Sequence, residues 1–321
     1  MTLAWFRPAV PSPTSPLDDT APVIDGLRSR QHEVHVITDP LEADARQRSH
    51  APPDLAVFEI DDDPAHAWIR GLARKTRGVV LLKSLRSRDS RAVAQAALLT
   101  VVSHPAVAED LCTACPGIPV RVTTTGVRRL PGAPVRTDHG SGVVLGLFPA
   151  ARADLVQRVL LRSGLADHQV ALLTGPSPEH VLLGSNVVLA LRWPWYGEPP
   201  TDALAGMASG RAVVVLETAG TADWPALDPQ TWRPRGPGTD PPIAVSIDPL
   251  DEEHSLTLTL TRLVSDPALR VRLGAAAFDW WNAHATPAHA VDDWERVLRE
   301  TRERTMSPGE ARAPTNSPAP S

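Results

Sequence analysis

The chain is poor in cysteine, in lysine and in long apolar runs, and each shortage excludes a class of protein. Its two cysteines, Cys112 and Cys115, make a single C-x-x-C in 321 residues. With no second pair, a zinc site would have to recruit His104 and one more ligand from elsewhere. The pair also falls at the end of an expected helix, just before Pro116. A redox pair instead favours a helix start, where the dipole lowers a thiol pKa. The two cysteines therefore read as small helix-end residues. Lys75 and Lys83 are the only lysines, and the formal net charge is −5. Such a chain carries no overall positive field to draw it to nucleic acid. No apolar run approaches the roughly 20 residues that span a bilayer. The opening MTLAWFRPAVPSP lacks the basic start and apolar stretch of a signal peptide. A soluble, cytoplasmic protein is expected, with contact to a membrane surface left open.

A glycine-rich loop is missing as well. The segment after the first candidate strand, Arg7–Asp19, is proline-rich and holds no glycine, so no Gly-x-Gly-x-x-Gly fingerprint follows that strand. This counts against a nucleotide-sugar epimerase or a similar dinucleotide-binding protein.

What the chain does have is a repeated alternation of short apolar runs with longer helical stretches. Strands are expected at Leu3–Phe6, Val34–Thr38, Leu55–Glu59, Val79–Leu82, Thr100–Ser103 and Val120–Thr123. A second series runs through Val143–Phe148, Val170–Thr174, Val187–Leu191, Ala212–Leu216 and Ile243–Ile247. Helices are expected at 19–30, 65–74, 90–98, 107–112, 152–163, 201–209, 255–265, 267–283 and 286–304. Such alternation predicts βαβ units and parallel sheets. The fold class is α/β, with two Rossmann-like doubly wound domains facing across a cleft. Residues 1–130 would form the first domain, 131–142 a linker rich in proline, glycine and charge, and 143–285 the second domain. A helix is expected to close the chain at 286–305. The Pro/Ser/Ala-rich tail 306–321 is expected to be disordered.

The run NVVLALRWPWYGEPPTDALAGMASGRAVVV, Asn186–Val215, carries a resemblance. It is similar to the donor-binding segment of glycosyltransferases of the GT-B fold, specifically the retaining, family-4-like group. A strand there ends in an apolar-Leu-Arg-x-Pro pattern, followed by Gly-Glu, a helix closing on Ala-Met-x-x-Gly, and another strand. The matching positions are Leu191, Arg192, Pro194, Gly197, Glu198, Ala205, Met207, Gly210 and Val213–Val215. PALDPQTW (225–232), IDPLDEEHSL (247–256) and SDPALRVRLGAAAFDWWNAHAT (265–286) resemble bacterial members in the same order, the last of them the closing helix. EIDDDPAHAW (59–68) and VVSHPAVAEDL (101–111) do so more loosely.

The resemblance implies that the helix at 286–305 packs back on the first domain. It also implies sugar transfer from a nucleotide-sugar donor to a saccharide or glycoconjugate acceptor. The reaction would retain configuration, with no metal and no cofactor beyond the nucleotide sugar as co-substrate. Charge building on a departing diphosphate calls for cations and helix N-termini aimed at it. Arg152 and Arg192 stand at the carboxyl ends of expected strands, where ligands of such sheets bind, and an arginine grips phosphate oxygens bidentately. Either could equally serve a structural ion pair. Gly197, Glu198 and Thr201 lie at the mouth of the following helix. A carboxylate at Glu198 would meet sugar or ribose hydroxyls, or simply cap the helix. On the acceptor side, Lys83 occupies the place where family members often carry a histidine, and His104 follows the next strand. These two are the candidate catalytic residues. His66 sits at a comparable place, and Trp193 and Trp195 could stack on a sugar or a base.

The motif is also altered. Ala205 stands where a second glutamate contacts ribose, no Arg-x-x-x-x-Lys pair follows Phe148, and Pro199–Pro200 removes two amide donors from the helix mouth. The alternative is therefore a catalytically silent GT-B module that binds a nucleotide sugar, a glycan or a partner transferase.

Overall fold

Strands covered on both faces have no reason to alternate polar with apolar residues. The runs Leu55–Ile60, Val79–Leu82, Leu99–Val102, Val187–Ala190 and Ala212–Leu216 are buried along their whole length. A computed structural model of the protein describes residues 1–9, 17–49, 52–84, 87–130, 142–165, 170–175, 177–235 and 240–306. The expected linker, apart from residue 142, and the tail from 307 onward lie outside the described residues.

In chain order, the first lobe comprises β1 (Thr2–Phe6), α1 (Ala21–Ser29), β2 (Glu33–Ile37), α2 (Pro40–Ser49), β3 (Leu55–Ile60), α3 (Ala67–Lys75), β4 (Val79–Leu82), α4 (Arg88–Ala96), β5 (Leu99–Val102), α5 (Pro105–Ala114) and β6 (Val120–Val122). The second comprises β7 (Val143–Phe148), α6 (Ala153–Arg162), β8 (Val170–Leu173), α7 (Pro178–Gly184), β9 (Val187–Ala190), α8 (Thr201–Ala208), β10 (Ala212–Leu216), β11 (Ala226–Leu227), β12 (Ala244–Ile247), α9 (Glu252–Ser265) and α10 (Pro267–His284), after which α11 (Pro287–Met306) ends the described chain.

Both sheets are parallel, with orders β2-β1-β3-β4-β5-β6 and β11-β12-β10-β9-β7-β8. Strand order reverses between β1 and β3 in the first sheet and between β7 and β9 in the second. The crevice outside the carboxyl ends at such a reversal is where open α/β sheets bind ligands.

Each sheet is covered on both faces. In the first lobe one apolar layer lies under α3, α4 and α5, and the other under α1 and α11. The closing role falls to α11. Its Ala290, Val291, Trp294, Val297 and Leu298 complete the first lobe's core, and Trp294 meets Trp5 with ring centroids 4.8 Å apart. The stretch 265–286, which resembles the closing helix, stays on the second lobe. There Ala277 and Trp281 of α10 are buried with residues of α8 and β10. The two chain crossings between lobes run side by side, with Val127 N donating to Ala285 O (3.1 Å) and Trp281 Nε1 to Val127 O (3.1 Å). Among the described residues no helix is long and apolar enough to cross a membrane.

Candidate active site

The carboxyl edges of the two sheets meet where the loop after β9 reaches the start of α5. Trp195 packs against the first lobe's core, and its ring meets that of His104 in a T-shaped arrangement with centroids 5.8 Å apart. Gly197 has φ +98°, a conformation that side chains resist, and a Cβ there would press on Val107 Cγ2 at 3.0 Å. The position thus needs glycine for both its backbone and its neighbour.

His104 caps α5, its Nδ1 accepting from Ala106 N at 3.1 Å. An acceptor at Nδ1 fixes the neutral ring with its proton on Nε2. Burial lowers the His104 pKa, against the opposing pull of Asp223 and Glu109. Asp223 belongs to the loop beyond β10, so its field reaches His104 from the second lobe.

In the second lobe the two expected arginines flank the reversal of strand order. Arg152 follows β7 and pairs through Nη2 with Glu252 at the start of α9. Arg192 follows β9 and pairs with Asp202 Oδ2 at 3.1 Å. Asp202 is almost wholly buried in the first turn of α8 and also accepts from Ala203 N at 3.1 Å. Glu198 serves neither as a helix cap nor as an open carboxylate at the helix mouth. Its Oε2 accepts from Tyr196 N at 2.8 Å, its backbone oxygen accepts from Trp195 Nε1 at 2.9 Å, and the N-cap position of α8 is Pro200. The glutamate ties the Trp195–Glu198 turn together, because a buried carboxylate must find donors close by. Thr201 is fully buried, its amide bonded to Pro199 O at 2.8 Å. Arg192, Glu198 and Asp202 share with Trp195 and Thr221 a cavity of about 20 Å³, room for about one water.

The first lobe's crevice between β1 and β3 is filled by ion pairs. Arg7, after β1, lies 2.9 Å from Asp18 and 3.6 Å from Glu59 at the end of β3. Lys83, after β4, is 2.6 Å from Asp19 and 3.9 Å from Glu59, and Thr20 Oγ1 donates to Glu59 at 3.0 Å. Burial works against the Lys83 charge, but Asp19 and Glu59 outweigh it and hold its pKa above the usual lysine value. Burial likewise raises the Glu59 pKa, against the pull of Lys83 and Arg7. Lys83 therefore faces Asp19 and Glu59, carboxylates of its own lobe.

Sequence reasoning left His66 outside the candidate set. Its Nδ1 lies 2.8 Å from Asp61 Oδ2, while Arg70 donates to the Asp61 and Asp63 carbonyls at 2.7 and 3.0 Å. The signal was present in EIDDDPAHAW as a carboxylate five residues ahead of a histidine at a strand end. Cys112 is exposed, Cys115 is buried, and both are free thiols.

No family model matches the sequence, and no curated protein matches it. Solved structures do. HepE of Anabaena in complex with UDP shares 14% identity over 94% of this chain and 100% of its own, with a TM-score of 0.61. Sucrose-phosphate synthase of Thermosynechococcus elongatus gives 13% identity, 93% and 98% coverage and a TM-score of 0.63. The catalytic domain of starch synthase IV of Arabidopsis thaliana, bound to ADP and acarbose, gives 10% identity, 94% and 99% coverage and a TM-score of 0.66. The chain thus has the two-lobed α/β architecture of the GT-B glycosyltransferases.

Proposed function

We propose that the protein is a glycosyltransferase that moves a sugar from a nucleotide-sugar donor to a saccharide or glycoconjugate acceptor. Transfer proceeds with retention and without a metal or other cofactor. The observation carrying this reading is the placement of Arg152 and Arg192 at the carboxyl ends of β7 and β9, on either side of the second lobe's strand-order reversal. A donor diphosphate lying there would gather negative charge as its bond to the sugar breaks. Two guanidinium groups are suited to receive that charge. To do so, Arg152 and Arg192 exchange Glu252 and Asp202 for phosphate oxygens. His104 offers an Nε2–H donor from the first lobe, and Glu198 and Gly197 shape the turn that carries Trp195. Lys83 balances charge beneath the acceptor side.

The neutralised arginines and the small cavity at the mouth of α8 favour one competing reading, a GT-B module that binds without turnover. Thermal melts with UDP, ADP, GDP and their glucose and N-acetylglucosamine conjugates separate the two. A donor present at 100 times its Kd should stabilise the fold by about 2.7 kcal/mol, and the conjugate that binds should release its nucleoside diphosphate when acceptors are added. No shift with any nucleotide would sink the transferase reading.

A further inference from the structure

The first lobe's own crevice is occupied by Arg7, Asp18, Glu59 and Lys83, so a ligand on that side of the cleft has to lie elsewhere. We propose that a one- or two-ring saccharide binds on the flank of the cleft, in the cavity between α4, α5 and the Trp195–Gly197 turn. This cavity measures about 380 Å³ and is lined by Arg91, Val107, Asp110, Trp195, Tyr196 and Gly197. Pockets for small ligands begin at about 300 Å³.

The lining matches the two kinds of surface a pyranose presents. Its C–H face is apolar, and the walls supply Trp195, Tyr196 and Val107. Its rim of hydroxyls both donates and accepts, and Arg91 supplies only donors while an ionised Asp110 supplies only acceptors. Neither the Arg91 side chain nor that of Asp110 has a hydrogen-bond or ion-pair partner among the described residues, and both residues are exposed. The two charges cancel, so a diphosphate finds no net positive charge in the lining. Trp195 also lines the cavity beside Arg192 and Asp202. The indole is therefore the wall between the donor crevice and this pocket. If the protein is the transferase proposed above, the saccharide held here is the acceptor.

The test uses the full chain and saturation-transfer NMR with glucose, galactose, mannose, N-acetylglucosamine, maltose and cellobiose. At least one should receive saturation. Its Kd should weaken about tenfold in Arg91→Ala and in Asp110→Ala, the loss expected for a hydrogen bond to a charged group. Binding should vanish in the double variant. Both positions are exposed, so the melting temperature should hold, and the thermal shifts given by UDP and ADP should not change. The proposal is overturned if none of the sugars binds, if binding survives the double variant, or if UDP or ADP displaces the sugar. Nucleotide binding without sugar binding removes this pocket alone. Sugar binding without nucleotide binding removes the transferase reading and leaves the pocket.

Discussion

Replacing His104 by alanine and by asparagine separates its two structural duties. Alanine removes both the acceptor for Ala106 N and the ring that meets Trp195. Losing an N-cap costs about 0.5–2 kcal/mol, and losing an aromatic contact about 0.5–1.5 kcal/mol. Asparagine keeps a capping oxygen and gives up only the ring, so His104→Asn should be more stable than His104→Ala by about 0.5–2 kcal/mol in urea melts. The wild type should also show a pH dependence that both variants lack. Burial holds the folded-state pKa of His104 below the ordinary 6.5. Below pH 6.5 the unfolded chain therefore binds a proton that the folded chain refuses. Stability falls as pH drops from 6.5 to the folded pKa, with a slope of up to about 1.4 kcal/mol per pH unit. Protonation also puts a hydrogen on Nδ1, which can then no longer accept from Ala106. The quantity to follow is the stability of wild type minus that of His104→Asn, between about pH 7.5 and pH 5, the span over which histidine titrates. A difference that stays flat across that range, or equal stabilities for the two variants, would refute the assignment of a neutral, capping imidazole.

Three further outcomes follow from the contacts described. Trp294→Ala should cost about 3–5 kcal/mol through loss of the packing against Trp5, read as a lower urea midpoint for the first lobe. Lys83→Met strands the carboxylates of Asp19 and Glu59, whose side chains are only 12% and 9% exposed. It should destabilise by about 3–5 kcal/mol, and adding Asp19→Asn should recover part of that loss in a double-mutant cycle. Asp202→Asn releases Arg192 from its ion pair and should tighten UDP or ADP binding about tenfold by calorimetry. An unchanged affinity would assign Arg192 to structure alone.

The strands were the most readable part of the sequence. Val79–Leu82, Val143–Phe148 and Ala212–Leu216 lie where their apolar runs place them, because a buried parallel strand writes its burial into consecutive residues. The helix α2 escaped notice since PLEADARQRS has a single large apolar residue, Leu41, and no apolar face at helical spacing. The short β11 is only two residues long and gives no pattern at all. At the site, the placement of Arg152 and Arg192 at strand ends was legible from local pattern. The partner of Arg152 was not, because Glu252 lies 100 residues from it. The same holds for His104 and Trp195, whose meeting depends on how the lobes are set against each other. The ion-pair filling of the first lobe combines four segments, around Arg7, Asp18–Thr20, Glu59 and Lys83, and no spacing within one segment announces it.

The crossing of α11 has a consequence for how the protein is made. A ribosome delivers the first lobe's sheet early, yet the face meant for Trp294, Val297 and Leu298 stays bare until the second lobe has been synthesised. The first lobe must therefore wait, with apolar surface in water, for residues translated last. Nascent chains stopped before residue 287 should carry a folded second lobe beside an unfinished first one, reversing the usual order in which amino-terminal units settle first.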